Sequence, residues 1–322
     1  MKLNQLVAAS NAAGQVSGKK RTHSFLLYGP PKVGKTELAG TLAKIPDVRS
    51  IWWFDLENGS DTLVDMIRRG KLTEEQAAKI TLFKVPDIRE SPVAMETLLK
   101  AICTKAAVQI CDEHGRVNCP VCLKDKASFT PFHHASLTDK DFIVIDSLSQ
   151  ASVSAMNMAC RNQPVEFKPT WDEYGLQTKW LSDLLTTVQA AQYTNFLCIT
   201  HDLIIEEEGK SDKCVPLCGT KAFSNTSAKY FGTVIYAEMK LKQHKAGSST
   251  KYSTSTQTGS RLGIELEKEK DPDLSTVLIN AGFFGGVRTD SPTTEESVEK
   301  EVTTSTTPVE EAKPRFGAPT TK

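Results

Sequence analysis

Lys35 and Thr36 end the run Gly29-Pro30-Pro31-Lys32-Val33-Gly34-Lys35-Thr36, which fits G-x-x-x-x-G-K-[ST]. The chemistry of that pattern is polyphosphate binding. A glycine-rich turn between a strand and a helix aims successive backbone N–H groups at one point, and the helix N-terminus adds partial positive charge there. Gly29, Pro30, Pro31, Lys32, Val33, Gly34, Lys35, Thr36 and Glu37 form the candidate nucleotide-binding set for ATP. In it Lys35 reaches the β- and γ-phosphates and Thr36 ligates Mg²⁺.

Three further residues complete a candidate catalytic group. Asp146 ends the apolar run Phe142-Ile143-Val144-Ile145 and is placed to hold the Mg²⁺ shell, although a strand ending in a helix cap has the same pattern. Glu57 follows Ile51-Trp52-Trp53-Phe54-Asp55 and could orient a water for attack on the γ-phosphate. Its alternatives are a helix cap or a solvated side chain, and Asp55 is the competing carboxylate. His201 ends Asn195-Phe196-Leu197-Cys198-Ile199-Thr200, where Thr200 and His201 could sense the γ-phosphate or simply close a strand.

A second constellation is separate. Cys111, His114, Cys119 and Cys122 read C-x₂-H-x₄-C-x₂-C, two close pairs of soft ligands able to close a structural Zn²⁺ site. A redox pair or free thiols are the alternative, and Cys103, His133 and His134 are reserve ligands. A four-ligand site of this kind is closed, so no catalysis is assigned to it.

Positioning these residues requires an α/β fold with a mostly parallel central sheet flanked by helices. Phe25-Leu26-Leu27-Tyr28 reads as a buried strand, followed by a helix carrying Leu38, Leu42 and Ile45. The second strand is apolar on both faces, which excludes a sheet edge. A third strand is expected at Ile80–Val85 and a helix from Pro92 to Ile110. Residues 147–170 read as a helix breaking into a loop, and a long helix follows from Trp171 to about Gln192. Trp171 and Tyr174 could stack on a base or anchor packing. Asp202 to Ala228 reads as one long functional loop carrying Lys210, Lys213 and Lys221. Val234–Lys240 returns to strand, and Lys242, His244, Lys245 and Lys251 make a basic hairpin-like region. Arg261 opens a strand at Leu262–Leu266 and is a candidate to reach a neighbouring subunit's nucleotide.

The 322 residues divide into an N-terminal arm (1–23), an ATPase domain (24–288) and an acidic Ser/Thr/Pro-rich tail (289–322) expected to be disordered. The arm carries the basic cluster Lys19-Lys20-Arg21, either a phosphate contact or a solvated segment. Of 39 bases and 39 acids, 4 and 7 fall in the tail, leaving a mildly basic body with 35 and 32. No stretch reads as a signal sequence or a membrane span, and the eight cysteines suit a reducing compartment, so a cytoplasmic protein with no membrane partner is expected.

Gly29–Thr36, Phe54–Gly59, Ile143–Ser147, Trp171–Gly175 and Ile199–Asp202 together resemble the RecA-like ATPases of bacteriophages, an AAA-labelled group that includes single-strand annealing and recombination proteins. Glu57 after the second strand carries much of that resemblance, because the residue following Asp146 is Ser147, where hexameric AAA+ proteins usually carry a glutamate. The resemblance implies a RecA-like P-loop NTPase core with Lys35, Thr36, Glu57, Asp146 and His201 in the roles above. It also implies DNA-facing loops near 147–170 and 202–228, ATP sites shared between subunits of a homo-oligomeric filament or ring, and work on single-stranded DNA in the host cytoplasm. The Cys/His insertion and the tail depart from that core. The tail could recruit a single-strand-binding or annealing protein, compete with DNA, or only keep the protein soluble. A rival reading is a nucleotide-gated loader or scaffold with little hydrolysis. A small-molecule kinase finds little support, because no lid-like arginine cluster follows Asp146.

Overall fold

The computed structural model describes residues 22–125, 127–164, 166–206, 209, 212–240, 243–247, 256–261, 273–280 and 284. Residues 1–21, Lys210, Lys242, Lys251, the strand expected at Leu262–Leu266 and the tail at 289–322 lie outside them.

The chain opens with β1 (Ser24–Gly29), buried along its length, and passes through the phosphate-loop segment into α1 (Lys35–Gly40) and a 3-10 turn at Thr41–Lys44. Then follow β2 (Ser50–Asp55), α2 (Asp61–Arg68), the single turn α3 (Glu74–Ala77) and β3 (Ile80–Lys84). Next come α4 (Ala94–Ile102), β4 (Val108–Cys111), α5 (Pro120–Asp125) and β5 (Phe129–Phe132). The central part continues with β6 (Asp141–Asp146), α6 (Leu148–Ala159), α7 (Trp171–Ala190) and β7 (Asn195–Ile205). It closes with β8 (Lys213–Pro216), α8 (Lys221–Ser227), β9 (Thr233–Lys240), β10 (Gln243–Gly247), β11 (Gly259–Ser260) and α9 (Leu274–Asn280).

The main sheet runs β10-β9-β1-β7-β6-β2-β3, with β11 on β9 and β8 on β7. The six strands from β9 to β3 are parallel, while β8, β10 and β11 pair antiparallel. A parallel sheet must be covered on both faces, and side chains alternate accordingly. Leu26, Tyr28, Phe54, Ile143, Ile145, Phe196 and Cys198 pack with α4, α6 and α7. Phe25, Leu27, Ile51, Trp53, Phe142, Val144, Leu197 and Ile199 pack with α1, α2 and α9 on the other face. β4 and β5 form a separate two-stranded hairpin, whose Phe132 seals Trp52, Phe54 and Phe83.

Two expectations are corrected. The helix expected over Pro92–Ile110 ends at Ile102, and Val108–Cys111 is a strand because it pairs with Phe129–Phe132. Asp202–Ala228 is no single loop. Asp202–Ile205 pairs with Lys213–Pro216, and α8 follows, capped by the Thr220 hydroxyl accepting from the Phe223 N–H.

Candidate active site

Register builds this site. Gly29 stands beside His201, Asp146 beside Ile199, and Asp55 beside Asp146, so the carboxyl ends of β1, β7, β6 and β2 finish in one row. Ligands of open parallel sheets bind beyond that edge.

Gly34 caps α1 at φ 87°, and Gly29 lies so close to β9 that an added Cβ would sit 2.0 Å from the Ala237 carbonyl oxygen. Both positions therefore require glycine. Lys35 is buried, and its ammonium donates to the carbonyls of Gly29 (2.8 Å) and Pro30 (2.7 Å). Burial lowers its pKa, opposed by the charges of Glu57, Asp146 and Asp202.

The Thr36 hydroxyl donates to Asp146 Oδ2 at 3.0 Å. Burial pushes the Asp146 carboxyl up to about 7; the Thr36 hydrogen bond opposes this, and the charges of Glu57 and Asp55 add to it. Gly59 closes the same corner, since a Cβ there would lie 3.6 Å from Asp146 Oδ2 and 3.8 Å from Thr36 Oγ1. Two hard oxygen donors among several carboxylates fit a divalent cation such as Mg²⁺.

The two carboxylates that competed in the sequence separate by function. Asp55 is buried and accepts from the Gly59 N–H (2.9 Å) and the Ser60 N–H (3.0 Å), which fixes the turn before α2. Glu57 rides on that turn, exposed at the surface with its side chain 30% accessible, and is not the cap of α2. Its Oε1 accepts from the Ser147 hydroxyl and lies 3.4 Å from His201 Nε2. Asp146 is not a cap either: the Ser147 hydroxyl caps α6 by accepting from the Gln150 N–H at 3.3 Å.

The other ring nitrogen of His201, Nδ1, lies 3.4 Å from Lys35 Nζ. Lys35 can only donate, so a His201 tautomer with its proton on Nε2 satisfies both neighbours. The backbone around it is fixed: the His201 N–H donates to Ser149 Oγ (2.9 Å), and its carbonyl accepts from the Leu217 N–H (2.8 Å). Thr200 is fully buried between Ser149 and the Leu217 carbonyl, so His201 alone of the pair faces the site.

Other candidates lie elsewhere. Glu37 points away from the loop and pairs with Arg69 and Lys71. Arg261 is exposed at the opposite end of the sheet, where its N–H donates to Gly232 and the Gly232 N–H donates to Ser24. At about 3.3 Å per strand residue, the length of β1 puts it on the order of 15–20 Å from its own phosphate loop. Among the reserve ligands, His133 and His134 bond to the carbonyls of Lys105 and Ile102, and Cys103 faces the Asp183 carbonyl. Cys111, His114, Cys119 and Cys122 come together, their donor atoms all within 4.8 Å of one another. Ser147 and Ser149 are the positioning residues that sequence reading missed. Their only signal was two hydroxyls just after a strand-ending aspartate.

A parallel sheet with a glycine-rich loop after β1, a buried carboxylate at the end of β6 and β7 between them has the fold of a RecA-like P-loop NTPase. A family model described as an AAA domain matches residues 21–262, and the chain belongs to that family. No curated protein matches. Among solved structures, the RadB recombinase is 17% identical, with a TM-score of 0.38, over 71% of this chain and 81% of that one. An ATPase from the type III secretion system of pathogenic bacteria is 10% identical, with a TM-score of 0.39, over 68% of this chain and 52% of that one. The ATP synthase subunit NeqB from Nanoarcheaum equitans is 6% identical, with a TM-score of 0.37, over 68% and 47%. Among the described residues no helix is long and apolar enough to cross a membrane.

Proposed function

We propose that this chain is a Mg²⁺-dependent ATP hydrolase that binds single-stranded DNA, assembles as a filament or ring, and serves bacteriophage recombination or replication by annealing or recombinase-like work. One observation carries the hydrolase reading: Lys35, the Thr36–Asp146 pair, Glu57 and His201 converge at the end of four adjacent parallel strands.

Lys35 exchanges its loop carbonyls for phosphate oxygens and neutralises their charge. Thr36 and Asp146 would hold Mg²⁺, which would supply neutralisation of the phosphate charge. Glu57 orients the attacking water in line, and Ser147 holds the carboxylate to that task. His201 senses the γ-phosphate between Lys35 and Glu57. Arg261, at the far end of the sheet, acts only on a neighbouring subunit's nucleotide.

The DNA part of the reading is supported by two features. β7 runs on from His201 to Ile205 and pairs with β8, so a shift of His201 is carried into a hairpin bearing Lys213. Trp171, 91% exposed, and Tyr174 stand at the start of α7, where bases can stack. Affinity from lysines and arginines falls with salt. The tail would recruit a single-strand-binding or annealing protein.

The rival reading, a nucleotide-gated loader or scaffold, expects little hydrolysis from the same site. ATP turnover with and without single-stranded DNA, with Lys35→Ala as the blank, separates the two. Stimulation that vanishes in the variant supports the DNA-dependent hydrolase. Turnover indifferent to DNA, or none, moves the assignment to the loader.

A further inference from the structure

We propose that Cys111, His114, Cys119 and Cys122 hold one structural Zn²⁺. The geometry is already of the right size. His114 Nδ1 lies 3.1 Å from Cys122 Sγ and 3.8 Å from Cys119 Sγ. A tetrahedral zinc with bonds of about 2.3 Å to sulfur and about 2.0–2.1 Å to nitrogen separates its ligands by roughly 3.5–3.8 Å. The two His114 distances are within about half an ångström of that spacing, and the widest separation in the cluster, up to 4.8 Å, must close by roughly 1 Å.

Cys111, Cys119 and Cys122 are buried together, and among the described residues their apolar neighbours are Ala127 and Phe129. All three are free thiols. Three thiols and an imidazole aimed at one point exceed what a disulfide uses, and thiolate with imidazole is a zinc donor set. The Arg116 N–H lies 3.4 Å from Cys111 Sγ, the kind of backbone donor that stabilises a metal-bound thiolate. Gly115 (φ 59°) and Asn118 (φ 49°) take left-handed turns between the two ligand pairs, and Cys119 and Cys122 bracket the first turn of α5.

The ion would fold a unit that braces the catalytic edge of the sheet. Gly115 rests on the end of β3: an added Cβ would lie 2.3 Å from the Lys84 carbonyl oxygen and 2.6 Å from Val85 Cα. The Thr97 hydroxyl donates to the Gly115 carbonyl at 2.9 Å, and the Val85 N–H donates to the carbonyl of Asp55, whose carboxylate fixes the Glu57 turn. Val108, Ile110, Val117 and Phe132 anchor one side of this unit in the main core, while the end carrying the cysteines has little apolar packing of its own and would take its folding energy from the metal.

The test uses the full chain without a metal-binding tag. Elemental analysis of the purified protein should find one zinc per chain. Stripped protein given Co²⁺ should develop thiolate-to-cobalt charge-transfer absorption and release it to added Zn²⁺. His114 is exposed, so His114→Ala should keep the fold by circular dichroism yet retain only a small fraction of the metal, and His114→Cys should restore retention. Wild-type protein without zinc and without the cobalt band would overturn the proposal. So would unchanged metal retention in His114→Ala, or ready closure of a Cys119–Cys122 disulfide in protein as isolated.

Discussion

The phosphate site and the Cys/His unit are assembled in opposite ways. Gly29, Asp55, Asp146 and His201 are up to 172 positions apart in the chain, and only the register of four strands makes them neighbours. The four metal-ligand candidates lie within twelve consecutive residues. The first site inherits its precision from a core covered on both faces. The second is tied to that core through its hairpin, while its cysteine end has little apolar packing and would need an ion to hold it. Damage to the first should remove chemistry and leave the fold, while damage to the second should loosen a region and leave nucleotide binding.

The largest effects belong to the first site. Lys35→Ala should abolish measurable ATP turnover. Glu57→Gln should lower turnover by about 10²–10⁴-fold, the range for a lost general base or water-orienting carboxylate, while MgATP binding followed by fluorescence stays within a few-fold of wild type.

The comparison is broken most directly at Gly115. Gly115→Ala places a Cβ against the Lys84 carbonyl at a positive φ and should cost about 2–4 kcal/mol by the combined strain and overpacking. Hydrogen exchange should speed up across 108–132 while β1 and α1 keep their protection. Equal loosening in both regions would contradict the separation.

Ser147→Ala sharpens it. Loss of one hydrogen bond to a carboxylate, worth about 1.5 kcal/mol or somewhat more, should lower kcat about tenfold with little change in KM. Ser147→Thr should recover part of the loss.

A pH-dependent effect lies at the other end of the sheet. Burial lowers the His23 pKa to about 4 from 6.5, with the Arg261 charge adding to the shift. Unfolded His23 takes up its proton first, so stability should be flat above pH 6.5 and fall as pH drops from 6.5 to 4. In His23→Gln, urea midpoints should lose that slope. Asp141 acts at lower pH still. Its burial would raise the pKa, yet hydrogen bonds from Arg49, Ser50 and Thr138 lower it below 3.8, and its contribution is lost as pH falls through that lower value.

The chain showed its local patterns plainly. Gly29–Thr36, the apolar runs ending in Asp55, Asp146 and His201, and the Cys/His spacing were all legible, because each is a pattern within a dozen residues. Partners distant in sequence were not. Val108–Ile110 continues the apolar pattern of α4 and becomes a strand only because Phe129–Phe132 lies beside it. Lys213–Pro216 is only four residues long and ends in proline, and its pairing with Asp202–Ile205 is what makes it a strand. Asp55 and Glu57 looked interchangeable until the N–H groups of Gly59 and Ser60 were seen to occupy Asp55. Arg261 carried no sign in its sequence of which end of the sheet it occupies.

The central claim is that the row of strand ends is a hydrolytic site in which Glu57 and not Asp55 is the catalytic carboxylate. Single-turnover hydrolysis of MgATP by Glu57→Gln, with binding measured on the same sample, tests it most directly. Full binding with hydrolysis at least about 100-fold slower is expected. Hydrolysis at the wild-type rate, with ATP bound as tightly, would contradict it.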